Sequence, residues 1–444
     1  MLGTQTPRSQ NEGSGKIVYT FGNPSLLKSA SWCSTKPQNI IPKQLIQHEG
    51  VSLTTKTKYM YDNLSERTAI DADKIFDIGQ KICKKKFGDD TSLFKLVNVD
   101  EVSQDEVLTI GRIFCEFGGK LDATSAMLLG SNELICRTVR LNFSNSKPFS
   151  VFPGQVVMTS GLNPRGDTLM VREIITDKFP LKPVETPKVD QEINLVIAAG
   201  PFTNSEDLHY DPLNDLLLYC KDNKPDCLVL IGPFMDIDHS VIRGEIVLDK
   251  SFETFFEEML ASIVEVVGQD VTVCCVSSYK DVCADSVYPT LPMTLKKTYP
   301  NVFMLPDPSI VELKNGLVLG VTSVDVADHI LEYELAVNAG DKVKRVVNNL
   351  FEQETFYPLM PPADEDMCYD GELASKFGKI DQIPNILILP SIQKSYIRDI
   401  NNCLTVNPGR LTDAKGGTFA RMVITPPKEG AKLMNYVACQ VRKI

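Results

Sequence analysis

Residues 227–236 read Cys227-Leu228-Val229-Leu230-Ile231-Gly232-Pro233-Phe234-Met235-Asp236: five apolar residues, a Gly-Pro break, then an acid. A short unbroken apolar run that ends at a turn signal is the pattern of a strand covered on both faces, as in a parallel sheet. The pattern has a twin upstream, where Ile193 to Ala198 leads into Ala199-Gly200-Pro201-Phe202. Between the two, Asp211 reads as a helix cap with Pro212 at the first helical position, and Leu213, Leu216, Leu217 and Cys220 form an inner stripe. Downstream, Ser251 caps a longer helix in which Phe252, Phe255, Phe256, Met259, Leu260, Ile263, Val264 and Val267 are in register. Val271 to Val276, Leu317 to Val321 and Ile386 to Leu389 read as further strands. Strand–helix–strand alternation of this kind predicts an α/β domain over residues 191–444.

Towards the N-terminus the period changes. From Phe94 to Lys178, alternating segments (Val107 to Ile113, Ala126 to Leu129, Leu134 to Leu141, Gln155 to Thr159, Thr168 to Ile175) are separated by Gly118-Gly119, Gly130-Ser131-Asn132 and Asn163-Pro164-Arg165-Gly166. So many short strands in so little chain predict a small closed barrel of the OB type over residues 94–178, with a small sandwich as the other choice. Residues 179–190 are a Pro-rich linker. Residues 17–93 form an N-terminal segment whose helical stretch, with Ile70, Ile75, Ile78, Ile82 and Phe87 near one face, is expected to pack on the core. Lys84-Lys85-Lys86 ends that stretch, as a cationic helix C-terminus or a phosphate contact. Residues 1–16 are polar and read as a disordered tail, in which Thr6-Pro7 is a proline-directed dipeptide.

Composition narrows the function. The chain has 444 residues and a net charge of -11, a field that repels nucleic acid overall. There is no C-x-x-C pair, and Cys115, Cys136, Cys227, Cys274 and Cys275 sit inside apolar runs, so a zinc knuckle is not expected and a reducing compartment is. No apolar run is long enough to span a bilayer, and the N-terminus has no signal-peptide core. No P-loop and no nucleophile elbow appears.

In α/β domains, sites gather beyond the C-terminal ends of the strands. Those loops are Ala199 to Phe202, Gly232 to Asp236, Ser277 to Asp281, Thr322 to Asp325, Pro390 to Ile392 and Asn407 to Arg410. Their order and spacing resemble the calcineurin-like metallophosphoesterases, which carry D-x-H, G-D-x-x-D, G-N-H-E/D, a lone His and G-H-x-H at strand ends. That resemblance implies a two-sheet α/β sandwich. The chemistry needs carboxylates and imidazoles to hold two cations and acidify a bridging water. Here Ala199 and Pro201 stand in the first motif, and Pro233 replaces the bridging acid ahead of Asp236. Ser278, Tyr279 and Lys280 fill the third motif, and Asn407 and Arg410 lie in the last. The motif set needs more histidines than His48, His209, His239 and His329 supply, and none of these occupies a motif position. No catalytic residue, metal ligand or cofactor is therefore assigned. Asp236, Asp281 and Asp325 remain as one weak cation site, or as loop caps.

Gly200-Pro201-Phe202, Tyr210-Asp211-Pro212-Leu213, Ile231 to Asp236 and Val287-Tyr288-Pro289 resemble the B subunits of eukaryotic replicative DNA polymerases. Val406 to Leu411, Gly416 to Arg421 and Phe152-Pro153-Gly154-Gln155-Val156-Val157 resemble that of DNA polymerase α–primase in particular. The resemblance covers roughly residues 60 to 444, with a weaker echo at Val18 to Gly22, and does not include the family's N-terminal helical domain. It implies a nuclear, non-catalytic scaffold for initiation of DNA replication: an OB barrel packed with an inactive phosphoesterase domain. The partners it implies are the zinc-bearing C-terminal domain of the catalytic subunit, primase through the complex, and other replisome proteins. Two other readings compete, a divergent metallophosphoesterase and a single-stranded-DNA-binding OB module. Against the latter, acids accompany the barrel's basic residues, so little or no direct nucleic acid binding is expected. Exposed apolar positions cannot be told from core ones in the sequence, so no partner-binding residue is assigned.

Overall fold

The computed structural model describes residues 15–23, 25–28, 37–88, 96–132, 135–178, 180–244, 249–413, 416–428 and 430–444. The tail residues 1–14, with Thr6-Pro7, lie outside them. The chain divides into two compact units: one of residues up to Lys58, Pro183–Asp325 and Ile383–Ile444, the other of Tyr59–Lys182 and Val326–Gln382.

The first unit is built on two sheets. In the seven-stranded sheet, Ile193–Ala199, Cys227–Ile231, Thr272–Val276 and Val302–Leu305 run parallel. Thr418–Ile424, Val437–Lys443 and Ile17–Phe21 extend it antiparallel beyond Ile193–Ala199. The six-stranded sheet runs Tyr396–Ile400, Cys403–Asn407, Ile386–Ile388, Val318–Val321, Ser309–Glu312, Lys43–Gln44. The apolar runs work as two-faced strands: Ile197, Val229 and Cys274 meet Leu319, Ile388 and Leu404 of the second sheet, whereas Val196, Leu228 and Cys275 join Leu216 and Leu260 of the helices Asp211–Asn223 and Phe252–Val267. Ser251 caps the second helix through Thr254 N, as read. The first begins one residue earlier than read: Tyr210, at φ 57°, is the cap, and Asp211 is already helical.

In the second unit, Ser103–Cys115, Ala126–Asn132, Ile135–Asn142, Thr168–Ile175 and Val156–Asn163 close into a barrel. The one parallel seam, Arg140 against Thr168, completes the closure. Strand Ala126–Asn132 continues through Gly130, where a turn was expected. A Cβ on Gly130 would stand 2.7 Å from a methyl carbon of Val99, so glycine here admits a close neighbour rather than a reversal. Helix Leu64–Phe87 starts from an Asn63–Glu66 capping box and lays Ile75, Ile78 and Ile82 on Val156 and Met158 of the barrel. Its terminal lysines are ion-paired: Lys85 with Asp177, and Lys86 with Glu173 at 3.9 Å.

Four expected boundaries move. The N-terminal segment 17–93 is divided, its strand Ile17–Phe21 in the α/β unit and its helix in the barrel unit. Residues 326–382 lie outside the α/β unit. Strand Leu335–Val337 pairs with Phe149–Val151, and the Gln353 amide bonds Val156 N at 2.9 Å and Val156 O at 3.0 Å, as a neighbouring strand would. The linker 179–190 is pinned from Pro183 onward, because Val184 N bonds Ile383 O and Lys188 N bonds Asn315 O. Gly15 and Lys16, placed in the tail by the sequence, bond to Lys443 through their backbones.

Candidate functional site

The strand-end loops of the α/β unit converge, and backbone bonds hold the convergence. Gly200 N donates to Ile231 O at 2.8 Å, and Gly232 N to Val276 O at 2.9 Å. A Cβ on Gly200 would fall 2.1 Å from Pro233 O, so the first two loops approach as only glycine permits. Pro201 and Pro233 both follow cis peptide bonds. Ala199 O accepts from Leu411 N at 2.8 Å and Pro201 O from the Thr412 hydroxyl at 2.9 Å, which ties the last loop to the first.

Among the sequence-named positions, the structure brings Asp236, Lys280 and Arg410 together and leaves the others as frame. Burial raises the Asp236 carboxyl above the ordinary aspartate value, while the Asp238 amide and the neighbouring Lys280 and Arg410 cations act the other way. Lys280 Nζ lies 3.1 Å from Asp238 Oδ2 and 5.8 Å from the Tyr279 ring centroid. Arg410 donates to Gly200 O at 3.3 Å and faces Asp325 at 3.8 Å. Asp325 in turn accepts from Ile392 N at 2.7 Å. Tyr279 is buried. The Asn407 amide oxygen accepts from Gly409 N and Ser391 N, and its N–H donates to Gln393 O, so it staples two loops.

Asp281 is also a staple. Its carboxylate accepts from Phe234 N and Met235 N, each at 2.8 Å. Burial nevertheless pushes its pKa up to about 7. His239 is buried, its Nδ1 accepting from Val241 N at the start of a short helix and its Nε2 lying 2.6 Å from Asn204 O. The three acids read as a weak cation site are thus engaged with backbone N–H groups, and with Arg410 in the case of Asp325. Among the described residues no group of three His, Cys, Asp or Glu side chains is placed to hold an ion. A two-metal phosphoesterase centre does not fit these residues: two of the side chains in the cleft are cations, and the prolines offer no ligand atom. Sequence reasoning missed Asp238, the partner of Lys280; the only signal was its place two residues after Asp236.

The barrel is the other candidate surface. Arg112 pairs with Asp71, Lys120 with Glu332, Arg137 with Asp100, Arg140 with Glu116, Lys147 with Glu173, Arg172 with Glu106 and Lys178 with Glu354. Each of these seven cations thus carries a counter-charge. Phe143 and Phe149 stack on each other at 4.4 Å, Phe152 is fully buried, and Phe117 is exposed.

The geometry can be compared with known proteins. A model of the family of DNA polymerase alpha/epsilon B subunits matches residues 195–398, and one of the OB domain of the DNA polymerase alpha B subunit matches residues 68–177. The DNA polymerase alpha B subunit of Drosophila melanogaster is 45% identical, across 100% of this chain and 74% of that protein. Its counterpart in Mus musculus is 30% identical, across 97% and 72%. Vacuolar Protein Sorting 29 from Cryptosporidium parvum aligns over 57% of this chain and 100% of that one at 12% identity, with a TM-score of 0.27, too slight a likeness to carry an argument.

Proposed function

The chain belongs to the family of DNA polymerase alpha B subunits, and from that premise we propose that it is a nuclear, non-catalytic scaffold subunit of DNA polymerase alpha. In this reading it holds the zinc-bearing C-terminal domain of the catalytic subunit, and through the complex it keeps primase and other replisome proteins close, acting in initiation of replication. Tethering raises the effective concentration of one active site for the product of the other without adding chemistry of its own. What carries the reading is similarity to the polymerase alpha B subunits along the whole chain.

The strand-end cleft supports the non-catalytic part. It keeps the loop order of a degenerate phosphoesterase, but its interior charges are balanced by Lys280 and Arg410 rather than left for metal ions. The paired cations of the barrel support a protein-facing surface with weak or no direct nucleic acid binding. Affinity purification from nuclear extract with mass spectrometry tests the role: polymerase alpha and primase are expected, and their absence with a folded bait overturns it. A parallel assay with Mn²⁺ and p-nitrophenyl phosphate is expected to show no turnover. Hydrolysis lost in Asp236→Ala would favour the metallophosphoesterase instead.

A further inference from the structure

Along the helix Leu64–Phe87, Arg67, Lys74 and Lys81 recur every seven residues and so lie in one row on its surface. The outer two each hold a carboxylate of their own: Arg67 that of Asp62 at 2.8 Å, and Lys81 that of Glu354 at 2.6 Å. Lys74, between them, has none. The acid whose charge reaches it is Asp71, one turn back on the helix, and Asp71 already lies 2.5 Å from Arg112 of the barrel strand Ser103–Cys115. Among the described residues the Lys74 ammonium makes no hydrogen bond and no ion pair.

The surroundings are short of negative charge. Lys74 is partly buried and the Arg112 side chain is 15% exposed. Burial and the Arg112 cation bring the Lys74 pKa down to about 8, against the pull of Asp71. Tyr369 stands near Asp71 and Arg112, and burial keeps its phenol neutral. Asp370 is committed to the backbone, accepting from Leu373 N at 2.8 Å and Met60 N at 2.5 Å. At neutral pH two cations thus share one carboxylate, which leaves one positive charge unbalanced. A partly buried charge without a counter-charge keeps its desolvation cost, and an anion that approaches offsets it. The flanking Arg67 and Lys81 side chains are half exposed, so the row is open to solvent on either side of Lys74.

We propose that Lys74, with Arg112, is a binding site for a carboxylate. The ligand takes the place beside Lys74 that Asp62 and Glu354 take beside the other members of the row. Because those neighbours are already matched, there is room for one isolated negative charge rather than for a run of phosphates. The inference is independent of the polymerase-subunit reading.

Saturation-transfer NMR on the whole chain tests it, with acetate and dimethyl phosphate as probes and sulfate as a competitor. Acetate is expected to bind saturably and more tightly than dimethyl phosphate. Its affinity at pH 7 should exceed that at pH 9.5 by about tenfold, because Lys74 gives up its proton in between. Lys74→Met keeps the apolar stem and removes the unmatched charge. It should lose the binding, with a thermal midpoint at pH 7 level with or above that of the unaltered chain. Lys74→Arg should retain the binding and lose the pH dependence, because a guanidinium stays charged throughout. Tighter binding of dimethyl phosphate or sulfate than of acetate would overturn the proposal. So would the absence of saturable acetate binding, saturation unchanged in Lys74→Met, or a lowered midpoint in that variant, which would show that Lys74 serves the fold instead.

Discussion

Arg410 reaches three loops with one planar cation: it donates to Gly200 O and faces Asp325, which holds Ile392 N. Truncation leaves Asp325 without its cation in a largely buried place, and Arg410→Ala is expected to cost about 1–3 kcal/mol in urea unfolding, below the usual cost of breaking a buried pair because the contact is long. Lysine cannot copy the fork, so Arg410→Lys should recover less than half of that loss. An unchanged unfolding midpoint in Arg410→Ala would show that the guanidinium does not hold the loops. Asp281 makes a second prediction. Its folded pKa of about 7 lies above the ordinary 3.8, so the fold prefers the protonated form, and its contribution to stability falls as pH rises from about 4 to 7. Asp281→Asn should therefore flatten the dependence of the urea midpoint on pH across that window, and an unaltered slope would assign it to other groups.

Among elements, the helix Leu64–Phe87, the barrel end at Lys178 and the turn after helix Lys342–Glu352 meet at one carboxylate. Glu354 lies 2.5 Å from Lys178 and 2.6 Å from Lys81. Burial alone would raise its pKa, but the two lysines bring it below the ordinary glutamate value. Both lysines contribute, but the Lys178 side chain is 2% exposed whereas that of Lys81 is 49% exposed, so the first pair is the less screened. Glu354→Ala should lower stability by about 3–5 kcal/mol and Lys81→Ala by less than about 1 kcal/mol, both read by denaturant unfolding. Five strands of the α/β unit were legible as short apolar runs that end at turn signals, whereas Val302–Leu305, Ser309–Glu312, Tyr396–Ile400, Cys403–Asn407, Thr418–Ile424 and Val437–Lys443 were not read as strands. The helical stripe of Ile75, Ile78 and Ile82 was legible too. Periodicity shows which face of an element is apolar and not what will cover it, and for that reason residues 326–382 read as part of the α/β domain although they pack in the barrel unit. That Pro201, Pro233, Lys280 and Arg410 stand at strand ends was legible in the sequence. That Lys280 and Arg410 would be neutralised by Asp238 and Asp325 was not, because those pairs form between loops far apart in sequence.

Over the whole molecule, Asp281, Asp307 and Glu352 all have raised pKa values, about 7, 6 and 7, with burial as the leading cause in each. Each binds a proton more tightly folded than unfolded, so all three act in the same direction: the thermal midpoint should be higher at pH 5.5 than at pH 8. A reversed order would mean that other groups titrating between pH 5.5 and 8 outweigh these three. The two-part origin of the barrel unit gives another prediction. A fragment of residues 94–178 lacks the Gln353 amide and strand Leu335–Val337, and should show poor dispersion in an NMR spectrum unless residues 326–382 are supplied as well.

The final strand, Val437–Lys443, lies between Ile17–Phe21 and Thr418–Ile424 in the large sheet. A nascent chain leaving the ribosome therefore holds Ile17–Phe21 without its neighbour until residues 437–443 have been made, and the barrel unit waits in the same way for residues 326–382. Each unit therefore closes around a segment made long after its first strands, and those early apolar strands stay without their pairing partners while the intervening chain is synthesised.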